Sequence, residues 1–147
     1  MKIYLGGDHA GFKLKAKIYG HLKTSGFDVE DLGPETFDEN DDYPDFVKLV
    51  AKEVAGSKEN VGIIFGKSGQ GEAMAANRFK GVRAIVYYGK ELEIVRLGKE
   101  HNNANILSLG AHFMDEEEAI FAVDLWLSTN FSEDERHQRR IDKFENF

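Results

Sequence analysis

Strand-like and helix-like segments alternate along this sequence of 147 residues. Short apolar runs predict five strands, and an apolar residue at every third or fourth position predicts the helices between them. Such alternation builds a parallel sheet covered on both faces, because the crossovers between parallel strands are right-handed and carry helices over the sheet. We therefore predict an α/β fold: a doubly wound, Rossmann-like, three-layer arrangement with a five-stranded parallel sheet.

The length predicts a single domain over residues 1–147. The predicted strands are Lys2–Gly6, Phe27–Leu32, Val61–Phe65, Val82–Tyr87 and Ile106–Leu109. The predicted helices are Phe12–Ser25, Pro44 to about Ala55, a short helix through Ala73–Ala76, Glu91–Lys99, Glu116–Leu127 and Glu133–Phe144. In the helix that begins at Pro44, we expect Phe46, Leu49, Val50 and Val54 to face the core.

Composition excludes several classes of function. The chain has no cysteine, so it has neither a thiol nucleophile nor a cysteine metal site, and it suits a reducing compartment. A net charge of −7 argues against nucleic acid as a partner. No apolar run approaches the ~18 residues of a membrane span, and the start lacks a signal-peptide pattern. We expect a cytoplasmic protein whose basic cluster, Arg136–Arg140, binds a small anion.

A glycine-rich loop follows the third predicted strand. Three of its residues, Gly66, Gly69 and Gly71, allow the backbone to turn sharply and to direct several N–H groups at one point. The start of the following helix adds partial positive charge, so the loop is suited to hold an anion. A plain tight turn is the alternative. The pattern is not a P-loop, because Val61 stands where that motif needs glycine, and the glycine spacing does not match a dinucleotide fingerprint.

Glu72 stands at the start of the helix after this loop. A carboxylate beside an anion site suits a reaction in which a base removes a proton and an oxyanion develops. The alternative is a carboxylate that only complements the helix dipole. The dipole should lower the pKa of Glu72, whereas burial against Phe65 and bound substrate would oppose it.

Other polar residues are individually ambiguous. Asp8-His9 follows the first strand and could form a turn or a site. His101 could bond the last carbonyls of a helix or transfer protons near neutral pH. It precedes the fifth strand, so its side of the sheet stays open. Arg136 and Arg140, four residues apart, share one helix face that is either solvated or a phosphate clamp. No two histidines have metal-ligand spacing, so we predict no metal site. Taken together, the loops are expected to gather these groups at one edge of the sheet.

These motifs together resemble one known family, the type B ribose-5-phosphate isomerases and the galactose-6-phosphate isomerase subunits. Five motifs match in order: Gly6–Gly11, Asp42-Tyr43-Pro44, Gly66–Glu72 with Ala75-Ala76-Asn77, Glu100–Asn103 and Arg136–Arg140. The resemblance spans residue 1 to about residue 145. It implies a cofactor-free isomerisation of ribose 5-phosphate and ribulose 5-phosphate through an enediolate. It also implies a homodimer, with a tetramer as the alternative, whose sites are shared between subunits.

The resemblance also implies roles for individual residues. One branch of the family uses a cysteine where this chain has Phe65; the other uses a glutamate, here Glu72, as the base. His101 would assist ring opening as an acid. Asp8, His9, Tyr43 and Asn102 would hold the sugar and its phosphate end, and Arg136 and Arg140 would bind the phosphate. The enediolate would be stabilised by Ser68 and by backbone groups of Lys67, Gly69, Gln70 and Gly71.

Two residues depart from the family pattern. His112 stands where many members have a phosphate-binding arginine, and Lys67 stands where the glutamate branch often has glycine. Both bear on the choice of sugar, so isomerisation of another phosphosugar, of the allose 6-phosphate or galactose 6-phosphate type, is the alternative. A non-catalytic sugar-phosphate binding protein is a further alternative, but a binder has no use for a carboxylate that repels phosphate.

Overall fold

The computed structural model describes all residues, 1–147, and contains five strands and six helices. The strands are β1 (Ile3–Gly7), β2 (Val29–Asp31), β3 (Val61–Gly66), β4 (Ala84–Tyr87) and β5 (Ile106–Gly110). The helices are α1 (Phe12–Thr24), α2 (Tyr43–Gly56), α3 (Gln70–Ala76), α4 (Glu93–Asn102), α5 (Glu116–Ser128) and α6 (Glu135–Glu145).

The strands form one sheet in the order β2-β1-β3-β5-β4, and all of the pairs are parallel. Every residue of β1, β3 and β5 is buried. That burial explains why these three strands are short, nearly continuous apolar runs without polar alternation. Because the strands are parallel, the loops after β1, β3 and β5 leave the sheet at one common edge, here called the carboxyl edge.

Helices cover both faces of the sheet. On one face, α1 and α5 bury Ile18, Leu22 and Trp126 against the strands. On the other face, α2 packs Val47 and Val50 against the sheet, next to α3. Helix α6 lies against α4. The predicted three-layer, doubly wound α/β fold with a five-stranded parallel sheet is therefore confirmed.

The predicted buried stripe of α2 is partly wrong. The buried positions are Val47, Val50, Ala51 and Val54, whereas Leu49 is exposed. A stripe that repeats every three or four residues from Val47 places Leu49 on the opposite side of the helix.

Most element boundaries differ from the prediction by one or a few residues, and two of these differences affect the second polar edge described below. Strand β4 begins at Ala84, since the amide of the preceding residue, Arg83, donates to the side-chain Oδ1 of Asn105. Helix α4 continues to Asn102, which places His101 in its last turn. No helix combines the length and apolar character that a membrane-spanning segment requires.

Candidate active site

The loop between β3 and α3 presents unpaired amides at the carboxyl edge. Its turn depends on Gly69, whose φ of +78° is accessible to glycine at little cost. The buried hydroxyl of Ser108 donates to the Gly69 carbonyl at 2.6 Å and fixes the loop to β5. A set of four amides has no acceptor within the chain: those of Lys67, Ser68, Gly69 and Gly71. These donors can stabilise an oxyanion.

The Glu72 carboxyl group is buried directly over the end of β3. The residue is only 4% exposed. An ideal Cβ built on Gly66 would lie 1.7 Å from Glu72 Oε1, so the carboxylate occupies space that any side chain at residue 66 would fill. Gly66 is therefore required for this position of Glu72, which lies beside the unpaired amides of the loop.

Burial raises the pKa of Glu72, and the negative charge of Asp8 raises it further. A hydrogen bond from its own amide acts in the opposite direction. The sequence left open whether the helix start or burial dominates, and burial does. A carboxyl group whose pKa is raised toward neutrality is a better general base than an ordinary surface glutamate.

Asp8 and His9 directly follow the end of β1 and lie next to the Glu72 carboxylate. The amide of Asp8 donates to the Phe65 carbonyl of β3 at 3.3 Å, which ties the two strand ends together. His9 Nδ1 lies 2.7 Å from Asp41 Oδ1, on the loop before α2. Asp8, His9 and Asp41 place one potential ligand atom each within 4.8 Å of one another, a spacing that could also hold a cation. Sequence spacing did not indicate this cluster, because 32 residues separate His9 from Asp41.

The remaining predicted residues of this edge surround the loop. The Tyr43 hydroxyl lies 2.5 Å from the position of an ideal Cβ on Gly71. The His112 amide donates to the Lys67 carbonyl at 3.1 Å, and both side chains are exposed. Gln70 is also exposed, at the start of α3.

A second polar cluster lies at the opposite edge of the sheet. The rings of His101 and His137 stack with their centroids 4.1 Å apart, and the Arg136 guanidinium lies 3.5 Å from His137 Nε2. Burial lowers the pKa of His137, and the charges of His101 and Arg136 lower it further. Arg140 is exposed one helical turn after Arg136. This cluster is positively charged and is suited to bind phosphate.

Within one chain, the two clusters cannot contact the same small molecule. Gly62 pairs with Ile106 and Gly66 with Gly110, so the two edges lie four residues, or about 13 Å, apart along the strands. Glu72 lies beyond Gly66, and His101 lies before Ile106. The candidate site residues were expected to gather at one edge of the sheet. This expectation holds for Asp8, His9, Tyr43, Lys67–Glu72 and His112. It is wrong for four residues at the second edge: His101, Asn102, Arg136 and Arg140.

Two clefts, of about 650 and 430 Å³, lie at the second edge. Their linings include Arg83 and either Asn102 or Asn103, but not Glu72.

Sequence reasoning missed two residues of the carboxyl edge. Ser108 is the one polar residue of β5, and that interruption of an apolar run was the available signal. Asp41 was hidden within the acidic segment Asp38–Asp45, where only the fold distinguishes it from its neighbours.

Comparisons with known proteins agree with this architecture. A model of the Ribose/Galactose Isomerase family matches residues 3–144. The probable ribose-5-phosphate isomerase B of Mycoplasma genitalium is 47% identical over 142 residues, which cover 96% of this chain and 91% of that protein. Ribose-5-phosphate isomerase B of Mycobacterium leprae is 42% identical, covering 97% and 86%. The crystal structure of ribose-5-phosphate isomerase B from M. genitalium with bound ribulose 5-phosphate has a TM-score of 0.94 and 44% identity, covering 99% and 94%.

Proposed function

This chain belongs to the Ribose/Galactose Isomerase family, and from that premise we propose that residues 1–147 form one domain that interconverts ribose 5-phosphate and ribulose 5-phosphate. The observation that carries the proposal is the buried carboxyl group of Glu72, with a raised pKa, beside four unpaired amides. A base next to an oxyanion site is the combination that an aldose–ketose isomerisation requires.

Glu72 acts as the base of this reaction. In its ionised form it removes the proton from C2 of the open-chain aldose, and the electron pair moves onto the carbonyl oxygen to form an enediolate. The amides of Lys67, Ser68, Gly69 and Gly71 stabilise the negative oxygen. Transfer of the hydroxyl proton from O2 to the negative O1, together with return of the abstracted proton to C1, gives the ketose. Because both electrons stay within the substrate, the reaction needs no redox cofactor.

A homodimer completes the site. Ring opening needs an acid, and the phosphate needs cations, but His101, Asn102, Arg136 and Arg140 lie at the edge remote from Glu72. A two-fold interface that apposes the carboxyl edge of one subunit to the second edge of its partner would create two identical sites, each with both sets of residues. His101 of the partner subunit would then open the furanose ring, and Asp8, His9 and Tyr43 would hold the sugar chain. A tetramer of two such dimers keeps the same sites.

Alanine at Arg136 or Arg140 is expected to raise KM more than it lowers kcat, because each guanidinium makes a charge-assisted contact with phosphate. Loss of such a contact costs roughly 1.5–3 kcal/mol, or about 10- to 150-fold in kcat/KM. Initial rates over a range of ribose 5-phosphate concentrations measure both constants. Arg139→Ala removes the same charge from another face of α6 and serves as the control. A KM for Arg136→Ala equal to that of Arg139→Ala would contradict the assignment.

Asparagine at Asp8 is expected to move the acid limb of the kcat/KM profile to lower pH. The Asp8 charge raises the pKa of Glu72, so its removal lets Glu72 ionise, and act as a base, at lower pH. The position of the limb is the readout, since Asp8 also contacts the sugar in our proposal. The phosphate group of the substrate also titrates, but it contributes equally to the pH profiles of the wild type and of Asp8→Asn. Asp28→Asn removes the same charge at the other edge of the sheet and should leave the acid limb in place. An acid limb that does not move in Asp8→Asn would refute the electrostatic coupling between Asp8 and Glu72.

The proposed function itself is tested with purified protein and four substrates: ribose 5-phosphate, ribulose 5-phosphate, allose 6-phosphate and galactose 6-phosphate. We expect the highest kcat/KM with the two pentose phosphates. A preference for a hexose phosphate would instead support the alternative that Lys67 and His112 suggest. Binding of these sugars without turnover would refute catalysis. A cytoplasmic location stays a prediction, supported by the absence of cysteine.

A further inference from the structure

One carboxylate of the loop before α2, that of Asp41, contacts the chain just after the end of β1. Asp41 Oδ1 accepts a hydrogen bond from the backbone amide of His9 at 2.9 Å and lies 2.7 Å from its ring nitrogen Nδ1. The Asp41 side chain is 9% exposed and the His9 side chain 35% exposed. A nearly buried acceptor thus contacts His9 at two points, its backbone amide and its partly exposed ring, across 32 residues of sequence.

The same ring is held from another direction by aromatic side chains. Phe37 meets His9 edge to face with ring centroids 6.3 Å apart, and Phe12 meets Phe37 at 5.9 Å. No atom of the chain bonds His9 Nε2. The ring therefore has one orientation, in which Nδ1 is used by the protein and Nε2 remains available for a ligand at the carboxyl edge.

Asp41 also determines which proton the ring can exchange. A carboxylate acceptor requires hydrogen on Nδ1, so a change in protonation takes place at Nε2. The hydrogen bond with Asp41 raises the pKa of His9, and the negative charge of Asp8 contributes in the same direction. The carboxylates of Asp41 and Asp8 are the charged groups that shift the pKa of His9. His9 consequently keeps a donating Nε2–H to a higher pH than an isolated histidine.

We propose that Asp41 is a positioning residue, which holds His9 in the orientation and tautomer that present Nε2 to an oxygen of the sugar. This inference rests on the proposed isomerase function, because it requires a polyhydroxy substrate at the carboxyl edge. Asp41 itself does not touch the substrate. Its second oxygen, Oδ2, is buried without a partner, so Asp41 acts on the ligand only through His9.

Two variants separate this role from a structural one. Asp41→Asn keeps the size of the side chain and removes its charge, and Asp42→Asn makes the same change at the exposed neighbour, whose side chain makes no capping bond. The His9 ring is titrated by NMR in each protein without substrate, in EDTA so that no divalent cation occupies the cluster. We expect the His9 pKa to fall in Asp41→Asn and to stay unchanged in Asp42→Asn.

Kinetics then test whether Asp41 acts through His9. We expect Asp41→Asn to lower kcat/KM for ribose 5-phosphate about tenfold, as for loss of a charge-assisted hydrogen bond. The same change in a His9→Asn background should have little further effect, since the ring that Asp41 holds is already absent. Asp41→Glu retains the carboxylate and should recover part of the activity. Asp41→Ala removes the carboxylate and serves in the titration if Asp41→Asn does not fold.

Two results would overturn the proposal. One is an unchanged His9 pKa in a folded variant that lacks the carboxylate, Asp41→Asn or Asp41→Ala. The other is an equal loss of kcat/KM in the His9 and His9→Asn backgrounds, which would make Asp41 a structural residue. Failure of the proposed function is distinguishable, because an inactive wild-type protein would still show the Asp41-dependent titration of His9.

Discussion

Glutamine at Glu72 is expected to lower kcat by at least ~10²-fold, with substrate binding nearly unchanged. The amide keeps the shape of a buried side chain that fits over Gly66, but it cannot accept the C2 proton, and loss of a general base typically has an effect of this size. Kinetics with ribose 5-phosphate measure kcat, and calorimetry with a non-reacting phosphosugar measures binding. Exchange of the substrate C–H with solvent deuterium should slow in parallel.

Stability provides an independent readout for the same variant. Since burial raises the pKa of Glu72, ionisation of this residue destabilises the folded protein as the pH rises above the pKa of an unfolded glutamate. Glutamine has no charge to bury, so the free energy of unfolding at neutral pH should stay the same or increase. Glu59→Gln, at an exposed position before β3, should change neither kcat nor stability. Turnover near that of wild type in Glu72→Gln would refute the assignment of the base.

Mixing two inactive variants is expected to restore activity. In a heterodimer of Glu72→Gln with His101→Asn, one site combines Glu72 from the second subunit with His101 from the first, and the other site carries both substitutions. Random assortment at equal amounts makes half of the molecules heterodimers, each with one intact site, so roughly a quarter of wild-type activity should return. Rates are measured after the two proteins are unfolded and refolded together.

The choice of control follows from the two edges of the sheet. Asp8→Asn and Glu72→Gln both alter the carboxyl edge, so every site of their heterodimer carries one damaged residue and mixing should restore nothing. A heterodimer of Glu72→Gln and His101→Asn that stays as inactive as its parents would exclude sites shared between subunits. Restoration in the control pair would show that mixing itself, rather than the shared site, recovers activity.

Patterns that depend on neighbouring residues could be predicted from the sequence. Alternating apolar runs and helical periodicity identified the parallel sheet, and the glycines between Gly66 and Gly71 identified the loop and Glu72, because a turn and the helix after it are local in the chain. Predictions of which side of a helix faces the core were less accurate. Leu49 was assigned to the core of α2 but is exposed, since a short amphipathic segment permits more than one choice of buried stripe and only packing against the sheet selects one.

The electrostatic state of Glu72 required the fold. The sequence places it near a helix start, which lowers its pKa, whereas burial and the proximity of Asp8 raise it. Desolvation depends on every atom around the carboxyl group, and Asp8 lies 64 residues away in sequence. The contact of Asp41 with His9 is equally non-local, because nothing in the acidic segment before α2 distinguishes Asp41 from Asp38 or Asp42.

The fold class, the loop and the chemical types of the candidate site residues could be inferred from the amino-acid sequence, because they follow from local periodicity and composition. Which of those residues lie close together depends on the packing of the whole fold. Strand direction and the lengths of the crossovers place Glu72 at one edge of the sheet and His101 at the other, and that separation is set by the register of β3 with β5 rather than by any local pattern. A chain in which base and acid lie at opposite edges needs a second copy to bring them together, which is the physical reason for the shared site that we propose.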